Sequence, residues 1–341
     1  MTTQDSSAIA HQKLMQARNG LIIHQSMCAA AKLGVADLLE QGLCATAELA
    51  RELKVHEDAL YRTLRALASQ GVFEESAPRT FRNSGLSYFL RTGVPGSVRP
   101  AFIFWGTEMY YRSFGELLDS IETGKPATAK LFGVSEWEYM RQHPELAGIF
   151  DEAMTNFSSM QAPGIAAAYD FGVWESITDI GGGIGILLSH ILNKHTNLRG
   201  VLADQPHVLE RARQQGFLGG DLAARTAMVD CDFFRDVPSG CRAYLLKNVI
   251  HDWDDVKAHD ILVNCRRAVG TNGVLLLVEW NLSEANQPST GKLSDLIMLV
   301  LTGGKERTTD EYRKLLASAG FRFNRLIPTA TELAIIEALP A

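Results

Sequence analysis

The chain has 341 residues, 46% of them hydrophobic, and its formal net charge is −6 at neutral pH. This length and apolar fraction allow a large buried core and favour two domains over one. Nucleic-acid binding needs clustered Lys and Arg, so the acidic balance argues against nucleic acid as the main partner. The five cysteines form no C-x-x-C pair. No apolar run approaches the roughly 18 residues of a membrane helix, and no targeting segment is visible. We therefore expect a reduced, cytoplasmic protein without a metal site or a membrane partner.

Two patterns of apolar residues divide the chain. Up to about residue 170 they follow helical spacing, as in HEDALYRTLRALASQ, whereas beyond residue 174 strand-like runs alternate with amphipathic helices. The predicted strands are WESITDI, LRGVLAD, TAMVD, AYLLKNV, GVLLLVEW, FRFNRLIP and TELAIIEAL. This alternation predicts an α/β fold with a Rossmann-like, mostly parallel seven-stranded sheet and helices on both faces. We place a mainly helical domain at residues 1–165 and the sheet domain at residues 166–341.

Within the helical half, TAELARELKVHEDALYRTLRALASQGVFEESAPRTFRNS predicts a helix, a turn, a second helix and two short strands around SAPR. This is the outline of a winged helix, a fold often used to bind DNA. Arg62 and Arg65 lie on the second helix, but nearby acids such as Glu52 and Glu57 leave no basic face. We therefore expect a packing or dimer-forming element and no nucleic-acid partner.

The stretch SITDIGGGIGILLSHIL places glycines between a predicted strand and a predicted helix. Glycines there allow a sharp turn and a close approach of a ligand, and the start of the next helix offers free N–H groups. The nicotinamide pattern G-x-G-x-x-G needs a third glycine where Ile186 stands, whereas Gly181, Gly183 and Gly185 satisfy G-x-G-x-G. No G-K-[ST] follows, so a Walker loop is excluded. The loop indicates a nucleotide-like ligand other than a nicotinamide dinucleotide.

Acidic residues follow three successive predicted strands, at the edge of the sheet where ligands bind. Asp179 precedes the first glycine, and a carboxylate there repels a pyrophosphate but suits the ammonium group of a methionine moiety. Asp204 ends the next strand, where a carboxylate can accept both ribose hydroxyls. Asp232 follows the third strand beside Phe233, an aromatic face for adenine. Each acid taken alone is more often a turn residue. Asp179 thus favours S-adenosylmethionine (SAM) over NAD, whereas Asp204 fits either cofactor. Three acids at three successive strand ends together indicate a bound nucleoside.

A resemblance to a known family rests on six stretches, in this order: SEWEYMRQHPELAGIFDEAM, DIGGGIG, LADQPHVLERA, DFF, LLKNVIHDWDD and LTGGKERT. They resemble the class I methyltransferases, and more narrowly the small-molecule O-methyltransferases that include plant caffeic acid and flavonoid enzymes and bacterial antibiotic-tailoring enzymes. The resemblance implies SAM as cofactor, S-adenosylhomocysteine as product, and a homodimer formed through the N-terminal winged-helix domain. Two departures are small: Gln205 stands where the family usually has Leu, and no glycine precedes DFF.

The segment LLKNVIHDWDD places His251 after the fourth predicted strand and ahead of a helix capped by Asp254. A histidine taken at random is more often structural than catalytic, but this one lies on the ligand-binding edge of the sheet. Methyl transfer to a hydroxyl needs removal of the hydroxyl proton, which imidazole can accept near neutral pH. For a phenol with a pKa of about 10 and a histidine near 6.5, that transfer is uphill by about 5 kcal/mol. The base therefore needs neighbouring carboxylates that raise its pKa.

Glu279, at the end of LLLVEW, and Glu306, in GGKERT, are the candidates for this assistance. By resemblance they match the two acids that flank the family's catalytic histidine, and His251 matches that base. The structural alternatives are a strand-end acid bonded to a loop for Glu279, and a solvated helix-start acid for Glu306. Asp252 either orients the neighbouring base or is an exposed turn acid. Lys247 matches a cofactor-contacting lysine of the plant enzymes, or else pairs with a nearby carboxylate.

An apolar pocket with few polar anchors suits a flat acceptor. Most apolar residues at helical spacing simply belong to the core. Our candidates for contact with the acceptor are Trp105, Phe150, Met154 and Met298, with Asn156 and Asp295 as polar anchors.

The sequence thus predicts a SAM-dependent O-methyltransferase that acts on a hydroxyl of an aromatic or polyketide-like small molecule, with His251 as general base. N-methylation stays open. So does a SAM-binding relative that performs decarboxylation, hydroxylation or a pericyclic reaction in natural-product biosynthesis. A third alternative, a winged-helix regulator that senses SAM, is disfavoured by the absence of a basic face. The sequence does not specify the acceptor.

Overall fold

The computed structural model describes residues 3–341, with side chains from residue 9 onward. The chain forms two compact units. One extends up to Tyr111 and includes His143–Asn156, and the other comprises Arg112–Gln142 and Phe157–Ala341. No helix in this described part of the chain is both long and apolar enough to cross a membrane.

The first unit is helical apart from one two-stranded sheet. Its elements are α1 (Thr3–Leu33), α2 (Val35–Glu40), α3 (Thr46–Leu53), α4 (Glu57–Ala68), β1 (Phe73–Ala77), β2 (Thr80–Asn83), a 3-10 turn (Ser87–Leu90), α5 (Arg99–Trp105), the first half of α6 (Glu108–Gly115) and the first half of α10 (Pro144–Ala168). Helix α4 buries Leu60, Leu64 and Leu67 on one face, and the antiparallel strands β1 and β2 follow it. This arrangement confirms the predicted winged-helix outline.

The second unit contains the large sheet. Its α-helices are the second half of α6, α7 (Leu117–Thr123), α8 (Ala127–Phe132), α9 (Glu136–Gln142), the second half of α10, α11 (Ile186–Lys194), α12 (Pro206–Gln215), α13 (Asp255–Val269), α14 (Thr290–Leu301) and α15 (Thr309–Ser318). Its strands are β3 (Ser176–Ile180), β4 (Arg199–Asp204), β5 (Thr226–Asp230), β6 (Ala243–Lys247), β7 (Val274–Trp280), β8 (Phe321–Pro328) and β9 (Leu333–Pro340).

The seven strands form one sheet in the order β5-β4-β3-β6-β7-β9-β8, so all seven predicted strands are present. The first five strands in this order are mutually parallel, and β9 is antiparallel to both of its neighbours. The strand order reverses at β3, which lies between β4 and β6. Ligands of such sheets bind outside the carboxyl ends of the strands at this reversal point. The predicted glycine loop, Asp204 and Lys247 all lie at these strand ends.

Strand β7 shows why both faces of the sheet are covered. Leu275 and Leu277 pack in one hydrophobic cluster with α13 and α15, and Leu276 and Val278 pack in another with α11 and α12. Because side chains alternate across a strand, a continuous apolar run such as VLLLV is typical of a strand buried on both faces. The mostly parallel α/β interpretation is therefore confirmed.

Candidate active site

The loop after β3 has a backbone that requires glycine. Gly181, Gly183 and Gly185 have φ angles of 65°, 61° and 83°, in the left-handed region that L side chains rarely adopt. A Cβ atom on Gly181 would lie 3.0 Å from Val249 Cγ2, and one on Gly185 would lie 2.7 Å from Leu218 Cδ1. Gly183 differs, because a Cβ there would meet no described atom within 4 Å. The loop is thus tightly packed at two glycines and leaves room for a ligand at the third.

Asp204 and Asp179 lie at this loop, as predicted from the strand ends. Asp204 Oδ2 accepts a hydrogen bond from the Gly183 N–H at 2.9 Å, and Oδ1 accepts one from the Gln205 N–H at 2.7 Å. Asp179 is only 1% exposed, and within the described residues neither of its carboxyl oxygens has a hydrogen-bond partner. Burial, and secondly the charge of Asp204, raises the pKa of Asp179 to about 7. A buried acid without partners fits a cationic ligand group.

The third predicted acid is more exposed. Asp232 has a side chain 54% exposed, and its Oδ1 accepts a hydrogen bond from the Phe234 N–H at 3.1 Å, as a turn residue does. The ring of Phe233 lies 5.1 Å from that of Phe234 and 6.3 Å from that of Trp253, measured between centroids. An aromatic cluster therefore follows β5, where an adenine face was predicted. The roles of Asp232 and Phe233 towards the cofactor stay predictions.

Lys247 ends β6 and is partly buried. Its Nζ donates a hydrogen bond to Ser158 Oγ at 3.3 Å. Burial lowers the pKa of Lys247 to about 8, although the charges of Glu279 and Asp179 oppose that change. Lys247 thus interacts electrostatically with Asp179 at the glycine loop and with Glu279 beside the predicted base. Both sequence interpretations of Lys247, contact with the cofactor and pairing with a carboxylate, are compatible with this environment.

His251 lies in the segment that follows β6, residues 248–253, which we call the base loop. It is part of a 3-10 turn, Ile250–Asp252, and is 8% exposed. Its Nδ1 lies 2.8 Å from Glu306 Oε1 and 3.9 Å from Glu279 Oε2, whereas its Nε2 lies 3.6 Å from Asp252 Oδ1. All four predicted catalytic residues therefore lie together. A hydrogen bond from Nδ1 to Glu306 leaves Nε2 as the ring nitrogen that can take a proton.

The electrostatic environment of His251 favours its charged form. Burial lowers the pKa of the imidazole, but the carboxylates of Asp252, Glu279 and Glu306 outweigh this effect and raise it to about 10. This value is close to the pKa of about 10 of an ordinary phenol. The uphill proton transfer expected for an isolated histidine is therefore largely removed by the three acids.

Glu279 also holds the base loop in place. It is fully buried, and its Oε1 accepts hydrogen bonds from the Val249 N–H at 3.1 Å and the Ile250 N–H at 2.8 Å. Burial raises the pKa of Glu279 to about 7, against the opposing charge of His251. Glu279 thus combines both sequence interpretations. Its Oε1 accepts hydrogen bonds from the loop, as a strand-end acid does, and its Oε2 faces His251, the predicted base.

Glu306 is buried, so its alternative interpretation as a solvated helix-start acid is wrong. It is 2% exposed because α14 covers it. Ser294 Oγ, on α14, donates a hydrogen bond to Glu306 Oε1 at 2.8 Å, and the Glu306 N–H donates one to Asp295 Oδ1 at 2.8 Å. Asp295, predicted as an acceptor anchor, therefore uses one oxygen to hold the backbone of Glu306.

Arg307 and Gly304 support the base loop, and the sequence reasoning missed both. The buried guanidinium of Arg307 donates to the carbonyls of Ile250 at 3.1 Å and Trp253 at 2.9 Å, and to Asp255 Oδ1 at 2.9 Å. A Cβ on Gly304 would overlap the backbone at His251, whose carbonyl accepts from the Lys305 N–H. The pair of glycines before KERT was the available signal, since it permits close backbone contact.

The remaining candidates for acceptor contact fall in both units. In the first, the ring of Trp105 lies 5.1 Å from that of Phe102, and the ring of Phe150 lies 5.2 Å from that of Phe104. Asn156 donates from Nδ2 to the Ser97 carbonyl at 3.2 Å, and Met154 is half-buried on α10. In the second unit, Asp295 and Met298 are three residues apart on α14, on one side of that helix. Contact of these six with an acceptor stays a prediction.

Comparisons with known proteins agree with this geometry. Residues 114–322 match the model of an O-methyltransferase domain, and residues 15–93 match an O-methyltransferase dimerisation domain. The chain is 42% identical to a phenazine O-methyltransferase of Lysobacter antibioticus, over 96% of this chain and 95% of that protein. It is 34% identical to an 8-amino-8-demethylriboflavin N,N-dimethyltransferase of Streptomyces davaonensis, over 98% and 97% respectively.

A solved relative shows a bound cofactor. The crystal structure of an O-methyltransferase from neocarzinostatin biosynthesis, in complex with SAM and 2-hydroxy-5-methyl naphthoic acid, superposes with a TM-score of 0.83. It is 33% identical and covers 93% of this chain and 96% of its own. Fold and site thus define a SAM-dependent methyltransferase. The chain belongs to the small-molecule O-methyltransferase family that carries a dimerisation domain.

Proposed function

We propose that the protein methylates a hydroxyl group of a flat aromatic small molecule, with His251 as general base. The observation that carries this proposal is the 2.8 Å contact between His251 Nδ1 and Glu306 Oε1. That contact fixes the imidazole so that Nε2 can accept the hydroxyl proton. Methylation of an aromatic nitrogen that already has a free lone pair needs no such base.

The residues of the chain form two neighbouring sites, one for the cofactor and one for the hydroxyl that reacts. SAM, when bound, supplies a methyl group already activated by its sulfonium. Asp179 offers its partnerless carboxyl to an ammonium group, and Asp204 and the loop at Gly183 form the cradle for a nucleoside. Holding the acceptor oxygen in line for transfer supplies the largest share of the rate. His251 removes the proton from that oxygen, and Glu306 stabilises the imidazolium that results.

The acceptor class follows from similarity. A relative 42% identical is a phenazine O-methyltransferase, and the neocarzinostatin relative was crystallised with a naphthoic acid. These names support a fused aromatic acceptor here, which suits apolar side chains such as Met298 that are proposed to contact it. The matched dimerisation domain supports a homodimer.

The experiment compares His251→Ala with wild type in transfer of labelled methyl groups to hydroxyphenazines and hydroxynaphthoates. We expect the rate to fall by roughly 10²- to 10⁴-fold, the usual contribution of a general base. Binding of S-adenosylhomocysteine is measured in parallel and should be unchanged. His259→Ala, at a partly buried histidine on α13, is the matched control. Undiminished transfer by His251→Ala would show that the assignment of the base is wrong.

N-methylation is the second candidate, because the riboflavin relative acts on an amino group. The test uses acceptor pairs that differ only in carrying an amino or a hydroxyl group at one ring position. The buried acids around His251 favour the hydroxyl compound. A product methylated only on nitrogen would reverse that conclusion.

A further inference from the structure

The hydroxyl of Ser294 and the imidazole of His251 share one oxygen of Glu306. Ser294 Oγ, on α14, donates a hydrogen bond to Glu306 Oε1 at 2.8 Å, and His251 Nδ1 lies 2.8 Å from the same atom. The other oxygen, Oε2, is buried and has no hydrogen-bond partner among the residues that the structure describes. The two donors therefore share the electron density of a single oxygen atom.

The position of Glu306 does not depend on Ser294 alone. The Glu306 N–H donates a hydrogen bond to Asp295 Oδ1 at 2.8 Å, and the residue is 2% exposed. The next residue, Arg307, is fully buried and donates to two carbonyls of the base loop. The carboxyl of Glu306 therefore stays beside His251 when the hydroxyl is removed. What the hydroxyl changes is the distribution of charge on Oε1.

A hydrogen bond from Ser294 weakens the attraction between Glu306 and the charged form of His251. A donor stabilises the carboxylate anion and withdraws negative charge from the oxygen that accepts the bond. Burial lowers the pKa of His251, whereas the charges of Asp252, Glu279 and Glu306 raise it to about 10. The hydroxyl of Ser294 opposes the contribution of Glu306, so the imidazole loses its proton at a lower pH than it would without Ser294.

The hydroxyl of Ser294 reaches this group of charges at Glu306. Asp252 belongs to the base loop and Glu279 to β7, and neither is bonded to Ser294 within the described part of the chain. The other titratable or charged groups around the three acids are Glu136 on α9, Lys247 at the end of β6, Asp295 on α14, Arg307 next to Glu306 and Tyr312 on α15. A substitution of Ser294 leaves all of them in place, so its effect on His251 passes through Glu306.

We propose that Ser294 is a positioning residue for proton transfer, which acts on His251 through Glu306 and brings the working range of the base closer to neutral pH. This inference rests on the proposed function, since it takes His251 as the base. Ser294 lies outside every motif that indicated the family, and α14 brings its hydroxyl to Glu306. Because only the neutral imidazole accepts a proton, a larger neutral fraction at a given pH means faster transfer there.

The first experiment measures the pH at which the ring of His251 loses its proton. The full chain, with carbon-13-labelled histidine and saturated with S-adenosylhomocysteine, is titrated by NMR. His251→Ala identifies the signal among those of the nine histidines. Ser294→Ala should move the midpoint upward by about half a pH unit, the effect of one neutral hydrogen bond. Ser294→Thr keeps a hydroxyl and should keep the wild-type midpoint.

The pH–rate profile with a hydroxynaphthoate acceptor is the second readout. Ser294→Ala should move the rising limb upward by the same amount, so the rate at pH 8 should fall about threefold. The rate at the top of the limb should be retained, because the base is not weakened. A merely structural defect lowers the rate at every pH and leaves the limb in place. Ser318→Ala is the matched control, since it removes a hydroxyl that donates to the Leu315 carbonyl on α15.

An unmoved or lowered midpoint in Ser294→Ala would overturn the proposal, and so would an equal upward shift in Ser294→Thr. If the Ala variant does not fold, Ser294→Cys takes its place, because a thiol is a weaker donor, and a wild-type midpoint in that variant overturns the proposal. The NMR titration involves no methyl transfer. A raised midpoint in Ser294→Ala, together with undiminished transfer by His251→Ala, would support the action of Ser294 on His251 and contradict the proposed function alone.

Discussion

Nδ1 of His251 lies 2.8 Å from Oε1 of Glu306, and neither residue is more than 8% exposed. A carboxylate this close to a buried imidazole favours the imidazolium, and Asp252 and Glu279 act in the same direction. The histidine is thus charged at neutral pH, and it becomes a free base as the pH rises towards its pKa of about 10.

The first prediction concerns this pH dependence. Methyl transfer to a phenolic acceptor should increase with pH from neutral to alkaline values, because only the neutral imidazole accepts a proton. Glu306→Gln removes one of the charges that raise the pKa of His251, so the rising limb should move to lower pH. Its maximum rate should fall about tenfold, because a weaker base transfers the proton less favourably. Glu284→Gln, at an exposed position, is the control. If the rising limb of the pH–rate profile lies at the same pH in Glu306→Gln and in wild type, Glu306 does not raise the pKa of His251 by its charge.

The second prediction concerns the contribution of Glu279 to the stability of the folded protein. Glu279→Ala leaves the Val249 and Ile250 amides without their acceptor and should lower the free energy of unfolding by about 2–3 kcal/mol. Glu279→Gln retains a carbonyl oxygen for these donors and should lose about 1 kcal/mol or less. Urea denaturation at pH 6, below the pKa of about 7 of Glu279, gives both values. Equal losses in the two variants would mean that the loop amides do not depend on this oxygen.

Gly304 tests the contact between the base loop and the segment that follows α14. A Cβ there would overlap the backbone at His251 and Asp252, so Gly304→Ala must displace one of the two segments. We expect a loss of about 2 kcal/mol in stability and a fall in kcat that exceeds the change in KM. Gly148→Ala, where a Cβ meets no described atom within 4 Å, is the matched control. A normal kcat in Gly304→Ala would show that the loop tolerates this displacement.

Asp179 is expected to lower the stability of the cofactor-free protein. Its folded-state pKa of about 7 lies above the ordinary value of 3.8, so the folded protein binds the proton more tightly than the unfolded chain does. The free energy of unfolding therefore falls as the pH rises from about 4 to about 7. Asp179→Asn should raise Tm at pH 8, with little effect near pH 4.

The same variant should also bind S-adenosylhomocysteine more weakly, since it loses the partner of an ammonium group. Thermal scans across pH, together with calorimetry, check both effects. A variant no more stable than wild type at pH 8 would indicate that Asp179 carries no desolvation penalty.

The sheet and the position of His251 were predictable from local patterns. Continuous apolar runs such as VLLLV identify strands buried on both faces, and the chain order places His251 at the carboxyl end of β6. Asp254 does cap α13, since its side chain accepts from the Lys257 N–H at 2.9 Å. These features depend on a few neighbouring residues, which is why the sequence alone indicates them.

Burial produced by distant segments was not predictable in the same way. Glu306 looks like a solvated residue ahead of a helix, and only the packing of α14 makes it buried. Glu136 stands in a short charged segment whose other acid, Glu138, pairs with Arg141 near the surface. Helical spacing predicts helices between residues 112 and 142, but it does not indicate which of the two units they join.

The guanidinium of Arg307 ties both ends of the Ile250–Trp253 turn to the first residue of α13. These bonds involve only the chain itself and form when the protein folds. In the function proposed above, the imidazole of His251 is therefore already oriented when an acceptor arrives, and little of the binding energy is consumed in ordering it. Such a site discriminates among acceptors by how well they fit a rigid loop. A change of substrate therefore requires new side chains around the loop and leaves its backbone conformation unchanged.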